Sequence, residues 1–350
     1  MSTPAAKRAG LDHGTGTEVW SSAWWRELAV SWLDERLAAA GVQRTGQVEQ
    51  PHLRPWATAL KAPTSHGPVW LKAAGPTTAF EVGLYQLLQR VAPDHVLTPI
   101  AADTTRGWIV LPDGGPSLGD RLTGTDLVAA LVAALPQYGQ LQRDLAGHAD
   151  SLLALGVTDM RASIMPRRFD EALEAVGRYV ERRGNVADQT TYQQVAAMRG
   201  RFASWCARLA DAPASPSLDH NDLHPWNILV AGAAGSGQAR FYDWGDSVVA
   251  HPFVSMLVPL GYMQHHLQVG LDAPEILRLR DAYLAVFSDL APPAELVEAL
   301  ELACRVGKVA RALTWNRAVG ALGYDEAGEY ERAPLEELGS LLDDSYLGRV

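Results

Sequence analysis

The chain has 350 residues, 47% of them hydrophobic, with a formal net charge of −10, which is enough apolar material for one large domain or two lobes sharing a core. Only Cys206 and Cys304 are present, which excludes a disulfide framework or a four-cysteine zinc site and fits a reducing compartment. No block of Lys and Arg appears, which argues against a nucleic-acid partner, and no run approaches the roughly 20 apolar residues that span a bilayer.

The opening MSTPAAKRAG leads into no apolar signal region, so a cytoplasmic location is expected. Residues 1–18 are polar and read as a tail. From Trp20 to Ala40, the residues Trp20, Trp24, Leu28, Trp32, Leu33 and Leu37 recur at helical spacing, and Gly41 follows as a stop. This predicts an amphipathic docking helix. Between Gln47 and Ala74 the pattern turns to short β-like runs, Ala57–Lys61 and Val69–Ala73, set off by the turn-rich PHLRPW and KAPTSHGP. Residues 78–91 return to helical periodicity, and Leu97–Ala101 and Trp108–Leu111 read as further strands. The stretch PDGGP at Pro112–Pro116 continues neither element and reads as a hinge. Helices are then expected at about 125–147, 168–183, 189–210, 274–288, 293–322 and 333–344, interrupted by a β-like insert at 218–243.

That insert carries the chemistry. It reads His220-Asn221-Asp222-Leu223-His224-Pro225-Trp226-Asn227, then the apolar Ile228–Val230, a Gly/Ala loop, and Phe241-Tyr242-Asp243-Trp244-Gly245. Phosphoryl transfer needs a carboxylate that accepts or orients the hydroxyl proton, and oxygen ligands for Mg²⁺. Asp222, Asn227 and Asp243 are of those types. A hairpin across the 231–239 loop would bring Asn227 and Asp243 to one end. Asp246 reads either as a third oxygen near the metal or, preferably, as a cap. The pair His220 and His224 is spaced as in zinc helices. Asn221 in place of the Glu base and Pro225 directly after the second histidine disfavour that reading.

The HNDLHPWN stretch resembles the kinase H-R-D-L-x-x-x-N loop, and DWG stands where kinases carry D-F-G. The chain thereby resembles the protein-kinase-like superfamily, and within it the aminoglycoside phosphotransferase and choline kinase group. The resemblance covers roughly residues 46–320. It implies a two-lobed α+β fold: a tail and docking helix over 1–45, a small β-rich ATP-binding N-lobe over 46–112, and a larger, mainly helical C-lobe over 113–350. It implies Asp222 as catalytic base, Asn227 and Asp243 as Mg²⁺ ligands, and His220 as a brace of the loop. His224 stands where protein kinases keep a lysine near the transferred phosphoryl. Lys72 in VWLKA matches the ATP-phosphate lysine, Glu81 its ion-pair partner, and Val110, Leu111 and Asp113 lie in the hinge whose backbone holds adenine. The implied cofactors are ATP and Mg²⁺. The implied activity is transfer of the γ-phosphoryl group to a small-molecule hydroxyl, with a silent nucleotide-binding pseudokinase as the rival reading.

Two departures qualify the likeness. No G-x-G-x-x-G lies between the first two strands, where the turn is approximately His52–Trp56, and Arg54 reads there either as a cation over the phosphates or, preferably, as a surface residue. After Asp243 the run WGDSVVAHPFVSMLVPL leaves no room for a long activation segment, which favours a small acceptor over a protein. Charge is unevenly shared, with 9 acidic and 10 basic side chains in residues 1–112 against 31 and 20 in residues 113–350. Eight of those acids lie between Asp325 and Asp344, where an exposed helix face is expected. The surplus favours a cationic or neutral polyhydroxylated acceptor, such as an amino sugar or amino-alcohol, over an anionic one.

Overall fold

The computed structural model describes residues 14–230, 237–323 and 327–348. The N-terminal residues 1–13, most of the Gly/Ala loop and two acids of the C-terminal tail, Asp325 and Glu326, lie outside them. The chain forms two compact units, Met1–Gly115 with Arg240–Gly245, and Pro116–Ala239 with Asp246–Val350.

The first unit opens with α1 (Thr17–Ser21) and α2 (Ala23–Ala39). Ser22 separates them: its backbone is extended and its hydroxyl accepts from the Trp25 N–H as the cap of α2. The helical phase therefore restarts at Ser22. Trp25, Ala29, Trp32, Leu33 and Leu37 face inward, while Trp24 is 55% exposed. This corrects the expected stripe, which ran one unbroken register from Trp20 through Trp24.

Five antiparallel strands follow: β1 (Glu49–Leu53), β2 (Ala57–Ala62), β3 (Val69–Ala74) and, beyond helix α3 (Phe80–Val91), β4 (Ala101–Asp103) and β5 (Trp108–Pro112). Their order in the sheet is β1-β2-β3-β5-β4. Part of PHLRPW, read as a break, is strand: Pro51 sits in β1, an edge position where a missing N–H is tolerated, next to a register shift between Glu49 and His52. The strand expected at Leu97–Ala101 begins only at Ala101. Leu60, Val69, Leu71, Ala73, Trp108 and Val110 join the tryptophans of α1 and α2 in one apolar cluster. Alternation along β3 then puts Lys72 on the other face of the sheet.

The second unit begins with α4 (Leu118–Arg121), α5 (Gly124–Leu145), α6 (Ala149–Ala154) and β6 (Thr158–Asp159). Helices α7 (Met165–Arg183), α8 (Val186–Ala197) and α9 (Arg199–Ala210) follow, the last two broken at Met198 where one helix had been expected. Then come β7 (Ser217–Asp219), β8 (Ile228–Val230), β9 (Ala239–Phe241), which runs into the first unit's 240–245 segment, and β10 (Val248–Ala250). Helices α10 (Leu257–Leu267), α11 (Pro274–Leu284), α12 (Pro293–Leu322) and α13 (Ala333–Gly339) complete it. Strand β10 pairs parallel to β6 and antiparallel to β7. Helix α10 was not expected, because its sequence LVPLGYMQHHL is apolar nearly all round at its start and carries no helical period.

The C-terminal acids are not simply an exposed face. Leu335 and Leu338 dock α13, which buries Glu337, and Glu331 is buried against Arg182 and Arg183 of α7. Burial pushes the Glu337 carboxyl up to about 7.

One buried histidine contributes an acid-sensitive term to the stability of the second unit. His251 caps the turn Pro252–Met256: Nδ1 accepts from the Phe253 N–H at 3.3 Å, while Nε2 donates to the Pro213 carbonyl at 2.7 Å. This pattern requires the neutral ring, and burial holds its pKa down at about 4, from 6.5. Protonation therefore favours the unfolded chain: the contribution is fully present above pH 6.5 and is lost as pH falls toward 4. Between pH 7 and 5 the loss amounts to about 2 kcal/mol. Asp219, pushed by burial up to about 6, and Glu337, pushed up to about 7, act in the opposite sense, so the informative quantity is a difference between variants. Urea unfolding of the parent and of His251→Asn at both pH values is expected to show a shallower acid loss in the variant. Equal losses would refute the assignment.

Candidate active site

In the first unit, three charged side chains converge. Lys72 Nζ lies 2.7 and 2.9 Å from the two carboxylate oxygens of Glu81, in the first turn of α3, and 2.5 Å from Asp243 Oδ1. Glu81 is 1% exposed, and its Oε1 also accepts the Trp244 N–H at 3.0 Å. That bond depends on Asp243 adopting the left-handed region, with φ 63°, a conformation Asp tolerates better than most residues. Burial would lower the Lys72 pKa, but the charges of Asp243 and Glu81 outweigh it and keep the ammonium protonated. One cation thus serves two carboxylates. The Asp243 side chain is 53% exposed, and a carboxylate is a hard-oxygen donor of the kind Mg²⁺ takes.

In the second unit, the loop from His220 to Asn227 hangs from β7 and is braced by α5. Tyr138 and Gln142, one turn apart on α5, both bond the Leu218 carbonyl, and the Tyr138 hydroxyl accepts the His220 N–H at 2.9 Å. His220 is fully buried. Asp219, also fully buried, accepts the Ser255 hydroxyl at 2.6 Å and the Asn221 N–H at 2.8 Å on one oxygen. Asn221 is the second non-glycine left-handed residue of the region, with φ 59°.

Beyond it, Asp222 meets three groups. Arg311 Nη1 is 3.1 Å from its Oδ1, His224 Nε2 is 3.3 Å from its Oδ2, and Asn227 Nδ2 donates to its main-chain carbonyl at 2.9 Å. Burial alone would push the Asp222 carboxyl up. The His224 hydrogen bond and the charge of Arg311 overcome it and hold the carboxyl well below the ordinary carboxylate range. Asp222 is therefore an anion at any working pH and a weak proton acceptor, suited to aligning a hydroxyl. The Asn227 amide spends its nitrogen on Asp222 and leaves its oxygen to serve as a donor to a hard cation. Alongside, ring centroids run from His224 to Trp226 (5.8 Å), Tyr262 (5.4 Å) and His266 (5.4 Å). Trp226 is 40% exposed, and a Cβ at Gly119 would stand 2.5 Å from its ring, so that helix start needs a glycine.

Of the remaining expected residues, Val110, Leu111, Asp113 and Arg54 lie in the sheet unit and Asp246 in the helical one. Val110 and Leu111 are in β5; the Val110 carbonyl accepts the Ile100 N–H, and the Asp113 N–H donates to Pro68. The Asp113 carboxylate accepts the Gly115 N–H and pairs with Lys61 and Trp70 Nε1. Arg54 is exposed and, among the described residues, bonds its own turn through the Leu53 and Ala57 carbonyls. The Asp246 carboxylate pairs with Arg317. Sequence reasoning missed Arg311, Arg317 and Thr314, which sit on a long helix whose composition marks it only as core.

A sheet unit with a Lys–Glu–Asp cluster and a helical unit with an Asp-bearing loop define a two-lobed, protein-kinase-like α+β fold. Solved structures agree. The chain is similar to an ethanolamine kinase of Plasmodium vivax (12% identity, TM-score 0.63, covering 97% of this chain and 94% of that one). It is also similar to macrolide 2′-phosphotransferase MphH of Brachybacterium faecium (16%, 0.55, 90% and 98%) and to choline kinase LicA of Streptococcus pneumoniae (13%, 0.54, 89% and 99%). Comparison with curated proteins returns no match. The phosphotransferase enzyme family (APH) profile matches residues 71–296, and the chain belongs to that family, as an enzyme of the small-molecule kinase class. Among the described residues no helix is long and apolar enough to cross a membrane.

Proposed function

We propose that this enzyme transfers the γ-phosphoryl group of ATP to a hydroxyl of a small molecule. The observation that carries the reading is the Lys72–Glu81–Asp243 cluster, built from sequence-distant residues of a family whose chemistry is phosphoryl transfer. In this reading Lys72 engages the nucleotide phosphates, with Glu81 fixing its ammonium, and the β5 end at Val110, Leu111 and Asp113 holds adenine. Asp243 and the Asn227 amide oxygen are ligands for Mg²⁺, which when bound neutralises phosphate charge. Asp222 aligns the acceptor hydroxyl, and His224 restrains the Asp222 carboxylate. Catalysis is then mostly positioning and charge complementarity.

The acceptor class we propose is a neutral or cationic polyol, an amino sugar or an amino-alcohol. The acid surplus of residues 113–350 supports it, lessened by the buried Glu337, and so do the aromatic faces of Trp226 and Tyr262, which suit a ring or an ammonium group. A turnover screen with ATP across amino sugars, neutral sugars, aminoglycosides, choline-like alcohols and sugar acids is expected to select from the first four groups, with kcat/KM for a cationic acceptor falling as salt rises. In the same preparation, Asp243→Ala is expected to abolish the Mg²⁺-dependent rise in thermal stability with ATP. An intact Mg²⁺ response would remove Asp243 from the metal site, and a preferred anionic acceptor would remove the charge argument.

A further inference from the structure

Helix α12 (Pro293–Leu322) reaches the Asp222 loop at two positions, Arg311 and Thr314, and three residues further on Arg317 reaches Asp246. Arg311 Nη1 donates to the Asn221 carbonyl at 2.6 Å and to Asp222 Oδ1 at 3.1 Å. The Thr314 hydroxyl oxygen accepts Asn221 Nδ2 at 2.8 Å, and the same amide nitrogen reaches the Asp246 carbonyl at 3.2 Å. Arg317 pairs with the Asp246 carboxylate. The helix thus grips the residue before Asp222 by its carbonyl and its side chain, and Asp222 by one carboxylate oxygen.

The grip has a physical purpose. Asn221 occupies the left-handed region, which costs an L-residue roughly 1–2 kcal/mol and persists only where surrounding contacts enforce it. Its N–H is held by Asp219, its side chain by Thr314, and its carbonyl by Arg311. Once Asn221 is fixed, the direction of the next residue is set. A carboxylate can still swing about its last torsion, and the Arg311 contact on Oδ1 opposes that swing while Oδ2 lies toward His224. We propose that Arg311 is a positioning residue of the phosphoryl transfer, acting through Asp222, and that Thr314 supports it by holding Asn221. The inference rests on the assignment of Asp222 given above.

A guanidinium is planar and places its donors at fixed angles, whereas a lysine ammonium brings charge without that geometry. Arg311→Lys is therefore the informative variant, because it keeps the charge. The test is a double-mutant cycle on the full chain with ATP and the best acceptor, comparing parent, Arg311→Lys, Asp222→Asn and the double variant. The expected result is a kcat lowered about 30-fold or more by Arg311→Lys with acceptor KM changed less than threefold, and a further loss of less than threefold when the same change is made in Asp222→Asn. Equal losses in both backgrounds would overturn the inference in favour of a general structural role, and so would near-parental kcat in Arg311→Lys. If Arg311→Lys does not fold, Thr314→Val, nearly isosteric and uncharged, takes its place in the cycle with the same pattern expected at smaller size. Full turnover in Asp222→Asn alone would instead remove the assignment of Asp222, a distinct outcome.

Discussion

Asp222→Asn is expected to keep the fold and nucleotide affinity and to lose two to four orders of magnitude in turnover, the range contributed by positioned acid–base groups, about 10²–10⁴. The substitution is close to isosteric, but it replaces one anionic acceptor by an amide nitrogen that cannot accept from a hydroxyl. It also turns that nitrogen toward Arg311 or His224, both of which the carboxylate now accepts from. Those two neighbours hold the carboxyl well below its ordinary range, so in the proposed reading the variant's loss is chiefly one of hydroxyl alignment. Single-turnover phosphorylation together with ATP-induced thermal stabilisation separates the effects. Stabilisation should persist while the chemical step collapses, and turnover within tenfold of the parent would sink the assignment.

Trp108→Ala should be the most damaging single change to the sheet unit. Trp108 is 3% exposed and receives Trp25 and Trp32 edge-on, with centroids at 5.9 and 5.4 Å, while Arg106 lies 5.7 Å above its ring. Removing a buried aromatic of this size costs about 3–5 kcal/mol. Each lost aromatic pair contributes about 0.5–1.5 kcal/mol within that range. Trp24→Ala, by contrast, is expected to cost under about 1 kcal/mol, as surface changes usually do. Urea unfolding of both variants tests which tryptophans face inward, and comparable losses would show the inward register to be misassigned.

The same comparison shows what was legible beforehand. Spacing alone announced a tryptophan-rich helix, but not its phase, because a serine that caps a helix looks in sequence like any helical serine. The loop from His220 to Asn227 and Asp243 stood out as candidates because kinase-like chemistry needs those types at nearly fixed offsets, and the pairing of Lys72 with Glu81 was readable because a strand puts the lysine beside a helix that opens with the glutamate. Arg311 could not be read. It lies 89 residues beyond Asp222, and only packing of a 30-residue helix joins them. Glu331 and Glu337 misled for a related reason: local composition made them look solvated, but Arg182 and Arg183 cover the first and the docking of Leu335 and Leu338 buries the second.

The sheet unit is discontinuous in sequence, since Arg240–Gly245 belongs to it together with Met1–Gly115. Three chain crossings therefore tie the two units, so no single proteolytic cut releases either one whole. During synthesis the sheet can form early, but the unit's last segment, bearing Asp243 and the Trp244 N–H that Glu81 accepts, emerges only after more than a hundred further residues. Until then Lys72 and Glu81 have only each other. The ion cluster is thus completed late in translation, and a nascent chain stopped before residue 240 would hold a sheet without its full charge site.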